Sequence, residues 1–344
     1  MEISRFDVFP RLGWVSQPTP ITELSVIAEK YGASWIGCKR DDLCNGLFGG
    51  SKVRKLDFLL ADSFFQEKPA WMSAGAIGSG HLVACAAAAR SFQKKFYAHF
   101  FFEPISQEIL ENLAFIADHA KKVYFYRSRT AMLLRQPMLL LRKQVKDSAF
   151  IPVGSNSALG MLGIVRAGVE LAMQIRDGQL PLPDRIYVAA GTCGTVAGLS
   201  LGLALSGLNT SIRAVATVER IIATHWRISS LFEETRSFLV KYGFHEAKKV
   251  KPVQIFLDRK QLGAGYAQPT VKAFAAIKNL QETGVFLDPV YTGKMAAAVF
   301  DDLQNGFNGK ILLWNSRRSS LPPAQGCWRE KLPMSLQKML SLHF

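Results

Sequence analysis

Residues 185–205 read Arg185-Ile-Tyr-Val-Ala-Ala-Gly191-Thr-Cys-Gly-Thr195-Val-Ala-Gly198-Leu-Ser-Leu-Gly-Leu-Ala-Leu205. A short run with β-branched and aromatic members, a turn of small residues and an apolar stretch of helical length predict strand, loop and helix in succession. Small residues at such a handover let successive backbone N–H groups converge on an anion at the helix N-terminus, where the helix dipole also helps. The spacing is not the dinucleotide pattern GxGxxG, and no Lys-Ser/Thr pair follows as in a P-loop. A single phosphate is therefore the expected ligand of Gly191, Thr192, Cys193, Gly194 and Thr195, with a tight turn and no ligand as the alternative.

The same alternation extends outward in both directions. Strands are expected at Ala33–Lys39, Trp71–Ala74, Phe96–Phe102, Lys122–Tyr126, Ser211–Val218 and Lys310–Trp314. Helices are expected at Lys52–Phe65, Gly80–Lys94, Gln107–His119, Leu159–Gln174, Thr195–Leu205, Pro269–Gln281 and Thr292–Asn305. The pattern defines an α/β protein with mainly parallel strands, whose ligands bind beyond the carboxyl ends of the strands. Glycine clusters name further loops of interest: Phe48-Gly-Gly-Ser-Lys52, Gly75-Ala-Ile-Gly-Ser-Gly80 and Gly154-Ser-Asn-Ser157.

Composition narrows the function classes. With 49% hydrophobic and 20% charged residues the 344-residue chain is not disordered, and its length suggests two domains. The longest apolar run, Leu82–Ala89, falls far short of a membrane helix, and no signal peptide is apparent, so a cytoplasmic protein is expected. Five scattered cysteines without a CxxC pair read as reduced thiols, not as a disulfide framework or zinc site, and no metal is expected. The net charge of +15 favours anionic ligands. Its dispersal, without interleaved aromatics, argues against nucleic acid.

Lys52 is the second chemical signal. Two glycines leave open approach to its amine, and the neighbouring Arg54 and Lys55 would favour its neutral form, as Schiff-base chemistry requires. A solvated basic face is the competing reading.

In chain order, Lys39-Arg-Asp-Asp-Leu43, Phe48-Gly-Gly-Ser-Lys-Val-Arg-Lys-Leu56, Gly75-Ala-Ile-Gly-Ser-Gly-His81, Gly191-Thr-Cys-Gly-Thr195 and Asp288-Pro-Val-Tyr-Thr-Gly-Lys294 resemble one family. It is the D-cysteine desulfhydrase and 1-aminocyclopropane-1-carboxylate deaminase family of pyridoxal 5'-phosphate enzymes, and the resemblance runs from Pro18 to about Trp314. It implies fold type II, the tryptophan synthase β-subunit-like pair of open twisted αβα domains, with the cofactor between them and usually a homodimer. Residues 1–48 and 159–344 would form the larger, cofactor-binding domain, and 49–158 a smaller inserted α/β domain. The resemblance gives Lys52 the covalent link to the cofactor and the Cα proton, and the Gly191–Thr195 loop the phosphate. Ser79 would meet the substrate carboxylate or leaving group, and Tyr291 and Tyr266 would be active-site tyrosines. Taken singly, Ser79 could equally cap a helix and the tyrosines could be buried.

Within the family, ring-opening deaminases carry Glu where this chain has Thr292, and Leu where it has Ser316. Both positions lie on the cofactor-binding side, and His81 likewise matches the desulfhydrase pattern. The implied activity is β-elimination on a small amino acid, giving pyruvate and ammonia. The alternatives are a cofactor-binding protein with little turnover and a regulatory role, or a lyase for an acidic substrate such as cysteate. Departures bear on that choice. Gly80 replaces an asparagine that would bond the cofactor's 3-oxygen, Cys193 replaces a loop glycine, and Arg317 and Arg318 replace two glycines.

Overall fold

The computed structural model describes residues 1–45, 48–140, 147–318 and 321–341, excepting the side chains of 133 and 136–140. Among these residues ten strands appear in chain order: β1 (Ile21–Glu23), β2 (Trp35–Lys39), β3 (Ala70–Ala76), β4 (Lys95–Phe101), β5 (Lys122–Tyr126), β6 (Ser148–Phe150), β7 (Arg185–Ala190), β8 (Ser211–Ala216), β9 (Gln254–Asp258) and β10 (Lys310–Trp314). They form two sheets, in the orders β1-β2-β10-β7-β8-β9 and β5-β4-β3-β6. Every pairing is parallel except β1 with β2. This is the α/β architecture the alternating pattern demands.

The chain divides into two units, Met1–Leu59 with Asn156–Ser319, and Leu60–Ser155 with Ser320–Phe344. The boundaries differ from those read off the sequence, which cut at 49 and 158 and left the whole C-terminus with the larger domain. Asp118 explains the C-terminal assignment: its carboxylate accepts from the Gln325 backbone N–H at 3.0 Å and its carbonyl accepts from Lys331 at 2.7 Å.

In the larger unit, β10 lies between β2 and β7, while β8 and β9 continue on the far side of β7. The strand order thus reverses at β7–β10, the place where open sheets bind ligands. Two apolar helices, Ala158–Arg176 and Gly194–Leu205, pack in the core of this unit. The first is long and apolar enough to cross a membrane, but 78% of its apolar window is buried inside the protein, as suits a core helix. It also lies against the helix Gly50–Leu59, where a methyl group on Gly163 would stand 1.7 Å from the Arg54 carbonyl oxygen.

Local signals move some boundaries. The helix expected over Lys52–Phe65 ends at Leu59, because Asp62 starts a new helix, Ser63–Glu67, by accepting from the Phe64 N–H. The helix expected from Pro269 begins at Val271, with Thr270 capping the Ala273 N–H. The helix His225–Lys241 and strand β9 went unrecognised in the sequence.

Behind the Gly50–Leu59 helix sits a buried cluster of charges. Arg54 bonds Asp41 at 2.7 Å and Glu170 at 3.0 Å, Lys39 bonds Glu170 at 2.6 Å, and the Trp314 indole donates to Asp41 at 2.9 Å. Thr19 and Gln174 complete the network. Two cations face two anions, so the formal charge cancels. Burial alone would raise the Glu170 carboxyl, but Arg54 and Lys39 overcome it and hold it at about 2. A carboxyl depressed on folding adds stability that is fully present above its ordinary 4.5 and lost as pH falls toward 2. Urea midpoints measured between pH 6 and pH 2.5 should fall in that window, and a Glu170→Gln variant should show a smaller fall.

In the smaller unit, β3 ends at Ala76 and a short loop, Ile77–Ser79, leads into the helix Gly80–Ser91. Glu103 accepts from the Gly78 N–H at 2.6 Å and Asn112 donates to the Gly78 carbonyl at 2.8 Å, pinning the loop. No disulfide joins any of the five cysteines.

Candidate active site

The larger unit gathers most of the sequence-predicted residues in a continuous row. Lys52 is the third residue of its helix and half-buried. The turn before it needs glycine: Gly50 has φ +76°, and a side chain there would meet the carbonyl oxygens of Ser316 and Arg317 at 2.5 and 2.7 Å. One helical turn beyond Lys52, on the same face, the Lys55 amine donates to Asn156 at 2.7 Å. The Asn156 amide donates in turn to the Thr192 carbonyl at 2.9 Å, tying this face of the helix to the Gly191–Thr195 loop.

That loop opens onto the N-terminus of the helix Gly194–Leu205. A methyl group on Gly194 would lie 2.4 Å from the Lys55 amine, so loop, helix end and cation converge. Burial drives the Lys55 pKa well below its ordinary value, and the charge of Lys52 adds to the effect. On the loop's other side, a methyl group on Gly191 would come 3.3 Å from the Tyr291 ring. The Tyr291 hydroxyl donates to that of Tyr266 at 2.9 Å. Lys294 fixes the Tyr266 loop by donating to the carbonyls of Leu262 and Gly265 at 2.8 and 3.1 Å. Burial brings its pKa down to about 8.

Cys193, which stands where the family pattern has glycine, sits in a strained backbone. Its φ is 67°, a left-handed conformation that costs an L-residue roughly 1–2 kcal/mol. Its thiol is buried, so truncation removes packing in any variant. Cys193→Gly also relieves the backbone, whereas Cys193→Ala does not. Thermal or urea denaturation should therefore find the glycine variant about 1 kcal/mol more stable than the alanine variant. Equal stabilities would argue against strain.

Thr292 behaves differently from the sequence expectation of a cofactor contact. It is fully buried, donates to the Asp288 carboxylate at 2.6 Å and accepts from the Asp288 N–H at 2.8 Å, so its hydroxyl is committed within the turn. The Asp288 carboxylate also accepts from the Tyr291 N–H at 2.6 Å, which sets where the tyrosine enters its helix. Ser316 is half-buried just past β10.

In the smaller unit, Ser79 occupies the N-cap position of the helix Gly80–Ser91, yet its side chain makes no capping bond. Helix capping therefore does not account for the hydroxyl. His81 is internal: Nε2 lies 2.8 Å from the Ser73 hydroxyl. That hydroxyl donates to the Ile151 carbonyl, so the proton between the pair belongs to the histidine. A methyl group on Gly80 would touch nothing within 4 Å.

Lys55, Asn156, Asp288 and Lys294 were missed as site residues. Lys55 had a usable signal, its three-residue spacing from Lys52, but the basic run around it looked like an ordinary solvated face.

The chain belongs to the family of pyridoxal-phosphate dependent enzymes, whose pattern matches residues 15–316. Within that class it is similar to the D-cysteine desulfhydrases of Klebsiella pneumoniae, with 30% identity over 88% of this chain and 91% of the relative, and of Serratia proteamaculans, with 29% over 85% and 88%. Among solved structures, an ACC deaminase homologue shares 27% identity at a TM-score of 0.76, covering 92% of this chain and 95% of its own. A fungal L-serine ammonia-lyase from Rhizomucor miehei, 14% identical at a TM-score of 0.56, covers 94% of this chain and 97% of its own and shares the fold. The protein is thus a fold type II, pyridoxal phosphate-dependent enzyme. Its residues fit the cofactor's phosphate end: the N-terminus of the helix Gly194–Leu205 and the Lys55 amine meet where a side chain on Gly194 would intrude.

Proposed function

We propose that the enzyme is a lyase that removes a β-leaving group from a small amino acid, in the manner of a D-cysteine desulfhydrase. The observation that supports this reading is the row Lys52, Lys55, phosphate loop, Tyr291 and Tyr266, which sets an amine and a pair of hydroxyls at either side of an anion cradle. The bound cofactor supplies a sink for the electron pair released at Cα. Lys52 anchors the cofactor and takes the Cα proton, which requires a neutral amine. The cradle and Lys55 hold the phosphate, and the tyrosine pair holds a proton able to follow the departing group. Ser79 is assigned to the substrate carboxylate or leaving group by its family position. The Cβ–S bond breaks with its electrons on sulfur, and water completes the balance: D-cysteine and water give pyruvate, hydrogen sulfide and ammonia.

Thr292 supports elimination only by its family position, where ring-opening enzymes carry glutamate, since its hydroxyl is held by the Asp288 carboxylate. D-cysteine or β-chloroalanine should release pyruvate, and 1-aminocyclopropane-1-carboxylate should release no 2-oxobutyrate. Comparable turnover of the cyclopropane would overturn this assignment, and a cofactor-loaded protein inert to all three would point to binding without turnover. The same reading makes the protein a cytoplasmic homodimer, which light scattering checks for the oligomeric part.

Gly80→Asn tests the missing donor. The position has room for a side chain. An added donor to the cofactor's 3-oxygen should raise kcat for pyruvate release by up to about 10²-fold. An unchanged kcat in a folded, cofactor-loaded variant would show that the asparagine's role is not restored.

A further inference from the structure

We infer that Lys294 is a positioning residue: its amine clamps the segment between β9 and the helix Val271–Gln281 by the carbonyls of Leu262 and Gly265, and so brings the Tyr266 hydroxyl to that of Tyr291. This rests on the elimination reading above and adds a residue to the machinery of that same site.

The segment needs fastening from outside. From Arg259 to Thr270 it holds neither helix nor strand. Gly263 and Ala267 both take left-handed backbones, with φ of 63° and 58°, a conformation disfavoured for alanine that persists only when the surroundings impose it. Side chains of neighbouring elements do so. Asp301 accepts from the Gln261 amide at 2.5 Å, Glu219 accepts from the Tyr266 N–H at 3.4 Å, and Lys294 donates to the carbonyls of Leu262 at 2.8 Å and Gly265 at 3.1 Å. The Gly265 carbonyl and the Tyr266 N–H belong to one peptide group. That peptide is thus held at both ends, by Lys294 and by Glu219, directly where the tyrosine departs from the chain.

The second tyrosine stands on the clamp's own helix. Tyr291 is the N-cap residue of the helix Thr292–Gln304, and Lys294 is the third residue of that helix. One rigid helix end therefore carries one phenol and the amine that places the other. The two hydroxyls meet at 2.9 Å, a separation that a shift of the Leu262–Tyr266 turn would break.

The amine suits this task. Lys294 is fully buried, which is costly for a lysine whose polar end is not used. The charges acting on it are Glu219, from the loop after β8, and Asp288, from the turn before its own helix. Burial outweighs both and brings the pKa to about 8. The other cations nearby are spent elsewhere: Arg259 donates to the Ala223 carbonyl and Lys272, on the neighbouring helix, pairs with Asp301. A neutral amine keeps two N–H groups, one for each carbonyl, so the clamp needs no counter-ion.

The test is a double-mutant cycle on the cofactor-loaded enzyme, with Lys294→Met, Tyr266→Phe and the two combined. It is read by pyruvate release from D-cysteine or β-chloroalanine and by hydrogen–deuterium exchange of the peptide spanning residues 259–270. Lys294→Met should lower kcat by up to about 10²-fold with KM little changed, as misplacing a reacting group does, and should speed exchange of the segment. Added to Tyr266→Phe it should lower kcat no further, because the hydroxyl it places is already gone. Lys294→Gln, whose amide offers two N–H groups, should recover part of the loss. If Lys294→Met fails to fold, Lys294→Gln with and without Tyr266→Phe carries the same cycle. Additive losses overturn the proposal, since Lys294 would then act through something other than Tyr266, and so does unchanged exchange. Exchange needs no turnover and separates the two levels: a wild-type enzyme that releases no pyruvate, with exchange faster in Lys294→Met, removes the elimination reading and decides for the clamp.

Discussion

Lys52→Ala should abolish covalent attachment of the cofactor and lower pyruvate release by about 10²–10⁴-fold or more, the range associated with losing a positioned proton-transfer group. Borohydride reduction of the wild-type enzyme, followed by peptide mass mapping, should place the adduct on Lys52 and nowhere else. Lys55 is the lysine most able to compete, since burial favours its neutral form. Yet its amine donates to Asn156 and lies beside Gly194, at the helix end proposed above for the phosphate. An adduct on Lys55, or persistence of the adduct in Lys52→Ala, would sink the assignment. Lys55→Met should instead weaken cofactor affinity while leaving the site of attachment at Lys52.

Arg54→Met should destabilise the larger unit by about 3–5 kcal/mol, because it strands Asp41 and part of Glu170 in the interior without their cation. Chemical denaturation should show a lower midpoint at pH 7. The loss should shrink as pH falls toward about 2, where protonation of Glu170 removes one of the charges that Arg54 had matched. A neutral effect at pH 7 would mean that water reaches the cluster. Asp41→Asn combined with Arg54→Met should recover part of the loss, since one stranded charge is removed with its partner.

Much of the architecture could be read before any coordinates. The strand, glycine loop and helix at 185–205 stand where their pattern puts them, since β-branched strand residues and a small-residue turn act locally. The helix His225–Lys241 escaped notice although Ile228, Leu231, Phe232, Thr235 and Leu239 are buried at helical spacing, because Arg227, Glu233, Glu234 and Arg236 break up the apolar run along the sequence. At the site, the left-handed Gly50 and the turn before the helix Gly194–Leu205 stand where the glycine clusters put them, because such turns are tied to backbone geometry. The roles of Arg54 and Asp41 were not legible, since both lie in motifs that look catalytic yet serve the interior. The His81 ring was hidden for the same reason: a family match records that a residue is retained, not which way its ring faces.

The position of β10 has a consequence for the order in which the protein is made. Among the described residues, β2 pairs only with β1 and β10, so the N-terminal segment gains its place in the larger sheet from the last strand synthesised. Glu170, which closes the charge cluster around Arg54, also emerges only after the whole of Leu60–Ser155 has been made. On the ribosome the Leu60–Ser155 part of the smaller unit can begin to fold first, while residues 1–59 wait for Glu170 and β10 and the Ser320–Phe344 part of the smaller unit comes later still. Pairings this distant in sequence close slowly, so the emergence of β10, rather than passage of any early segment, should gate completion of the larger sheet.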